Sequence, residues 1–502
     1  MGLKAFFKNT KTENLYNLNG CVPPHKAILF GLQHILAMFI ANIAPILVTI
    51  GAISASGQFT GIEANSVIQN AIFIAGIGTI LQLYPIWRFG GKLPIVVGVS
   101  FTFVGMLIFV GSTYGYGTMI GSLIIGGIFI AIMGIFAKYW KKFIKPIVSS
   151  LVVLAIGLSL LSVGADYFAG GSSTTTGVFS FCSWQSLLVG TITLIACLLF
   201  QIFVKGSWKN LSTLFGIAIG YIVCLVWFIF DRSAIDFSAF DGIKVFAFPR
   251  IYDFSQIRFN IWAILPVCLI FVVASTEGIG DVTATCKEGL GRLPSDKEVS
   301  GALACDGLVS AVSACFGCLP LTTFSQNVGI VGQTKVVNRF TILMGAIIMI
   351  LAGLFPPVAA AIRSIPSPVL GGALVMLFAS IVVTGVKMVA ELGFTPKNIL
   401  ILTLSLGVGF GFSLISGFYA SLGDVANNIL SNPVAMIFII SFILSFAIPD
   451  SFGTGVKKEK KHKEKKVKLK KKDEKVAHEP SEVVEVQAED VIDQSKLEKG
   501  QE

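Results

Sequence analysis

The residues best suited to chemistry in this chain are three acids and two amides set in apolar surroundings. Glu277 and Asp281 lie four residues apart in VVASTEGIGDVTAT, a spacing that places both on one helix face. An acid in an apolar environment is disfavoured in its charged form, so it is suited to taking up and releasing a proton. Glu277 reads as a substrate-binding acid and Asp281 as a coupling or structural one. The plainer alternative is a pair of solvated or capping acids at a helix end, with Lys287 near enough in sequence to pair with Asp281. Asp306 stands alone in VSGALACDGLVSAVSA and faces either a cavity or a buried partner. Gln326 and Asn327 are adjacent in LPLTTFSQNVGIVGQTKVVNR, Leu319–Arg339. An amide presents a donor and an acceptor in one plane, which suits the edge of a ring bearing neighbouring N–H and C=O groups. Gly329 and Gly332 permit a broken backbone there, whose freed N–H groups can face a ligand. The earlier stretch Leu93–Gly105, LPIVVGVSFTFVG, is similarly built. Its Gly98, Ser100 and Phe101 offer open backbone and an aromatic face. His34, beside Gln33 in GLQHILAMF, is either a satisfied structural histidine or a ligand contact.

These groups must be positioned inside a membrane. The chain has 502 residues, 54% hydrophobic and 13% charged, with mean hydropathy +0.81; a soluble domain carries about a quarter charged residues. The net charge of +10 divides into +2 after Gly455 (fourteen Lys against twelve acids) and +8 before it (twenty-four Lys/Arg against sixteen acids). There is no basic patch with interleaved aromatics, so no nucleic-acid partner is expected. The nine cysteines are scattered and read as small core residues. Cys315 and Cys318 form a CxxC without a second ligand pair, so no metal is expected. No catalytic triad or phosphate loop is present, so the chain does not read as an enzyme. The first 26 residues bear lysines without an apolar core, and no cleavable signal is expected.

About 20 apolar residues cross about 30 Å of hydrocarbon. On that scale the sequence predicts fourteen spans, near 27–50, 66–86, 94–110, 118–137, 144–164, 184–204, 211–230, 260–281, 299–314, 318–334, 340–360, 368–387, 397–416 and 432–449. The third and tenth are short and carry the polar interruptions; 417–431 suggests an interfacial helix. With the N-terminus inside, inner loops hold fifteen Lys/Arg and outer loops five, four of them in the long loop 231–259. That bias predicts both termini in the cytoplasm. The domain plan is a cytoplasmic segment 1–26, a first seven-span unit 27–230, the extracytoplasmic loop 231–259, a second unit 260–449 and a Lys-rich tail 456–502. The tail, KKEKKHKEKKVKLKKKDEK at its core, reads as disordered and cytoplasmic, either solubilising or drawn to anionic lipid.

Matches recur between the halves. Leu93-Pro94 repeats as Leu319-Pro320 at an offset of 226, Gly126 and Gly134 as Gly345 and Gly353 at 219, and the run from Pro146 as that from Pro368 at 222. The repeat unit is seven spans; an odd number inserts the second copy upside down. Inverted repeats with matching broken segments imply alternating access around a midplane site.

The segments LQHILAMF, GVSFTF, STEGIGD and TFSQNVGIVGQTKVVNR together resemble the nucleobase–ascorbate transporters, also called nucleobase:cation symporter-2, over roughly residues 20–450. The family signature (Gln, Glu or Pro, then Asn, any residue, Gly, four residues, Thr, and a basic or small residue) is met without departure from Gln326 to Lys335. The resemblance implies an all-α membrane protein of fourteen spans in two inverted sevens, divided into core and gate domains, with broken spans 3 and 10. It implies that Glu277 holds purine N–H groups, Gln326 makes a bidentate contact, Phe101 stacks on the ring, and backbone near Ser100, Phe101 and Ser325 holds its carbonyls. His34, Asp281, Asp306 and Asn327 match positions tied to transport or affinity, with Gln33 a further polar group. Uracil permeases of the family tend to carry Glu in place of Gln326. The expectation is therefore elevator-type uptake of xanthine or uric acid across the plasma membrane by a homodimer. Protons are the co-transported ion, sodium the alternative, and no cofactor is involved. A uracil permease, an anion transporter of the same architecture and a membrane scaffold are the rivals.

Overall fold

A computed structural model describes residues 10–449, except 172–173, 175–176, 206–208, 210 and 416, together with Phe452. The expectations for the Lys-rich tail lie outside the described residues.

The chain is mostly helical. The main helices are α1 (Pro24–Ala55), α2 (Ala64–Leu83), α3 (Val104–Tyr114), α4 (Tyr116–Ile135), α5 (Pro146–Phe168), α6 (Trp184–Phe203), α7 (Ser212–Phe230), α8 (Ile261–Leu290), α9 (Asp296–Cys315), α10 (Ser325–Thr334), α11 (Arg339–Gly353), α12 (Pro356–Arg363), α13 (Ser367–Leu392), α14 (Pro396–Leu404), α15 (Asp424–Ser431) and α16 (Pro433–Ala447). Two short strands, β1 (Val97–Val99) and β2 (Leu321–Thr323), lie just before α3 and α10. Ten helical stretches among the described residues are long and apolar enough to cross a membrane, eleven if the bent pair α11–α12 is one span. The other three predicted spans coincide with the shorter helices α3, α10 and α16.

Local chemistry sets several boundaries. α8 starts at Asn260, whose side chain accepts from the Trp262 N–H, and stops at Gly291 in the left-handed region, φ 65°. It runs nine residues past the predicted end at 281, because Val282–Leu290 keeps an apolar stripe (Val282, Cys286) against α9. Glu277 and Asp281 are therefore inside a helix, not at its end. Lys287 pairs instead with Glu391 at 3.7 Å, correcting its suggested pairing with Asp281. α9 opens on a capping box of Ser295 and Glu298. The predicted span 340–360 is broken: α11 and α12 meet at 82°, at Pro356 and Pro357, which cannot continue a helix ladder. The purely helical expectation also misses the strands. They form where Pro94 and Pro320 precede β-branched residues.

The helices pack in two groups. In one, α4 lies on α9 and α8, α11 on α2 and α1, and the two strands are wedged between them. In the other, α5 runs along α13, α6 packs on α7 and α13, and α16 packs on α5 and on the π-helical turn Ser405–Phe410 that extends α14. Close approach in the first group depends on glycine. A Cβ at Gly134 would sit 2.3 Å from the Ala304 nitrogen of α9, and one at Gly353 would sit 2.7 Å from the Phe73 backbone of α2. The N-terminal segment is tied to this group: the Asn338 side-chain amide donates to the carbonyls of Asn14, Asn17 and Gly20.

Candidate functional site

The strands pair antiparallel, with Val97 opposite Thr323, Gly98 opposite Thr322 and Val99 opposite Leu321. Unpaired backbone groups on the outer edges would be costly in an apolar interior. Side chains from the surrounding helices satisfy them. Thr79 on α2 accepts from the Val97 N–H at 3.0 Å, and Asn42 on α1 accepts from the Val99 N–H at 2.6 Å. Ser310 on α9 accepts from the Leu321 N–H at 3.1 Å, and Asp306 on α9 from the Thr323 N–H at 3.0 Å. Each strand then turns into a helix, Phe101–Phe103 leading into α3 and Ser325 opening α10. Two helix N-termini, with their free N–H groups, thus converge beside the strand pair.

Glu277 projects from α8 into this junction. Its Oε2 accepts from the Thr102 hydroxyl at 2.6 Å and its Oε1 from the Ser325 hydroxyl at 3.0 Å. The Ser325 hydroxyl also lies 2.7 Å from Asp281 Oδ2. One hydroxyl carries one proton, so the two carboxyls compete for it, and a proton on either acid completes the set. Glu277, Ser100, Phe101, Ser325 and Gln326 line a cleft with about 570 Å³ of free space, its open mouth included. The opposite wall comes from the second helix group: Val153 and Ile156 of α5, and Ser380, Ile381 and Thr384 of α13. Phe101 is held edge-on by Phe378 of α13, ring centres 5.1 Å apart.

The other predicted site residues lie behind this surface. Asp306 is buried and holds Thr323 and Gln82, whose amide donates at 2.9 Å. Asn327 is buried, its oxygen 2.5 Å from His34 Nδ1 and its nitrogen donating to the Pro94 carbonyl at 3.1 Å. His34 and Asn327 thus tie α1, α10 and the approach to β1 together. Neither His34 nor Gln33 lines the cleft. Among the described residues no group of three or more His, Cys, Asp or Glu could hold a metal. Cys318 of the CxxC donates to the Val67 carbonyl.

Sequence reasoning did not single out Thr102, Ser380 or Thr384. Thr102 had a signal, a hydroxyl inside the broken segment. Ser380 and Thr384 had a weaker one: two hydroxyls four residues apart in an apolar span, hence on one face.

A mostly helical chain with two broken segments meeting at a buried acid defines a polytopic membrane transporter. The family model described as Permease family matches residues 25–417, and the chain belongs to that family, the nucleobase–ascorbate transporters. It is a permease and not an enzyme. It is 32% identical over 452 residues to a chain provisionally named a purine permease in Clostridium perfringens, covering 89% of this chain and 96% of that one. It is 31% identical to the uric acid permease PucK of Bacillus subtilis (85% and 95% covered) and 28% identical to the xanthine permease XanQ of Escherichia coli (87% and 94% covered). Among solved structures, the transmembrane domain of the cyanobacterial bicarbonate transporter BicA matches with TM-score 0.51 at 13% identity, covering 87% of this chain and 98% of that chain. SLC26A9 matches with TM-score 0.54 at 12% identity, covering 84% and 69%. These structural likenesses establish the fold.

Proposed function

We propose that this permease takes up a purine dione, xanthine or uric acid, together with protons. The observation that carries the reading is the cleft that joins an acid, an amide, an aromatic ring and two converging helix N-termini. Glu277 accepts from ring N–H groups, Gln326 pairs with a neighbouring N–H and C=O edge, Phe101 stacks on the ring, and backbone near Ser100, Phe101 and Ser325 receives the carbonyls. The relatives named as xanthine, uric acid and purine permeases support the substrate class. Proton coupling is supported by the linked carboxyls of Glu277 and Asp281, which Ser325 satisfies fully only when one is protonated. No cofactor takes part, and sodium is the alternative coupling ion. An anion site favours helix N-termini without carboxylates, so the buried acids argue against anion transport despite the shared fold.

Fourteen spans as two inverted sevens, with core and gate domains, are part of the proposal. The packing supports it. Exchanging each helix for its counterpart seven spans away turns the contact of α4 with α9 into that of α11 with α2, and α4 with α8 into α11 with α1. The repeated glycines follow the same exchange: Gly126 faces Phe271 of α8 while Gly345 faces Gly31 of α1. Because one wall of the cleft belongs to each helix group, sliding one group against the other would carry the site across the membrane as an elevator. Only 33% of α6 and 22% of α7 is buried, leaving apolar faces for lipid and a second copy in a plasma-membrane homodimer with cytoplasmic termini.

The test is uptake of radiolabelled xanthine into proteoliposomes under an inward proton gradient without sodium. Gradient-dependent uptake blocked by unlabelled urate and not by uracil is the expected outcome. Block by uracil alone, or a strict need for sodium, would overturn the substrate or the coupling assignment.

A further inference from the structure

A second cavity lies on the far side of Phe101 and Thr102 from the substrate cleft. It has about 450 Å³ of free space, its open side included, and is lined by Thr102, Gly105 and Ile108 on the α3 side, Leu160 and Val163 of α5, and Asn432 at the start of α16. Phe101 and Ile156 line both cavities and form the wall between them. The second cavity follows α3 and α5 toward their C-terminal ends, whereas the cleft reaches Ser380 and Thr384 along α13 toward its own C-terminal end. In the fourteen-span arrangement these directions are opposite faces of the membrane.

Thr102 is the polar group common to both sides. Thr102 lines the second cavity and its hydroxyl donates to Glu277 Oε2 at 2.6 Å, while Glu277 lines the first. We propose that Thr102 is a proton relay, passing protons from the second cavity to Glu277 while the ring of Phe101 keeps the two spaces apart for a substrate. In the step, Thr102 Oγ accepts a proton from a hydronium ion in the second cavity as its own proton moves to Glu277 Oε2. One O–H bond forms and one breaks on Thr102, which is neutral before and after. The hydronium ion becomes water and the carboxylate becomes a carboxyl. A cavity of this size holds water where polar groups line it, and Thr102 and Asn432 supply them. The titratable neighbours of Glu277 are Asp281, one turn along α8 and linked through Ser325, and Asp306 on α9; His34 on α1 stands behind Asn327.

The inference rests on the proton-coupled reading, and the experiment separates the two. Thr102→Val and Thr102→Ser are reconstituted beside the wild type, and two rates are compared: xanthine accumulation driven by a pH gradient, and xanthine exchange at equal pH. The expected result is that Thr102→Val lowers the ratio of accumulation to exchange on the order of tenfold, and that Thr102→Ser restores it. An unchanged ratio in Thr102→Val, or a loss of both rates in equal proportion, would overturn the relay. A wild type whose accumulation ignores the pH gradient would overturn the proton-coupled reading itself.

Discussion

At the scale of single residues, the site depends on buried polar groups that leave few alternatives to one another. Glu277 receives two hydroxyls from two different broken segments, so it fixes their relative position as well as facing the cleft. Glu277→Gln keeps the shape and turns one acceptor into a donor. Each ring N–H left unpaired costs about 1–3 kcal/mol, so xanthine affinity measured by equilibrium binding should fall at least tenfold, about 1.4 kcal/mol. Binding at full affinity would remove Glu277 from its role. Asn327 acts differently, since it joins His34 to the Pro94 carbonyl and does not line the cleft. Asn327→Ala strands two buried groups and should lower stability by about 1–3 kcal/mol, read as a lower melting temperature of the purified protein in detergent. An unchanged melt would show that this link carries no structural weight.

At the scale of elements, the strand pair can exist at membrane depth because α1, α2 and α9 supply an acceptor for each outer N–H. Asp306 is the hub of one edge, receiving Thr323 and Gln82. Asp306→Ala should release β2 and reduce transport with the chain still inserted. The check is uptake alongside hydrogen exchange of the Leu321–Thr323 amides, which should speed up. The close α4–α9 contact is stricter. A Cβ at Gly134 meets backbone at 2.3 Å, not a movable side chain, so overpacking there costs about 1–3 kcal/mol or more. Gly134→Val should lower the folded yield on size-exclusion chromatography, while Gly407→Ala, with open space around it, should not.

At the scale of the whole molecule, the two helix groups share the cleft, one contributing the acid, amide and aromatic and the other a largely apolar wall with two hydroxyls. On the proposed elevator reading, the side bearing the acid, amide and aromatic carries the ligand and the other acts as a fixed barrier. The charged tail is read from the sequence alone as a solubilising or lipid-directed segment. Truncation after Gly455 should leave xanthine uptake within about twofold of the full chain; a collapse of uptake with intact insertion would favour a scaffolding role for the tail.

The sequence by itself determined the family, the membrane class, the two broken segments and the cleft residues Glu277, Gln326, Phe101, Ser100 and Ser325. Long apolar runs, proline-led breaks and polar groups at membrane depth are local properties, readable one segment at a time. Only the tertiary structure decided which polar residues face the cleft and which stand behind it. His34, Asn327 and Asp306 carry the same sequence signal as Glu277, a polar side chain in an apolar run, yet their partners lie 293, 233 and 17 residues away and turn them into ties. Thr102, Ser380 and Thr384 became site residues for the converse reason. A hydroxyl in a helix can satisfy itself on its own backbone, so its meaning appears only when another element brings an acid or a cavity against it.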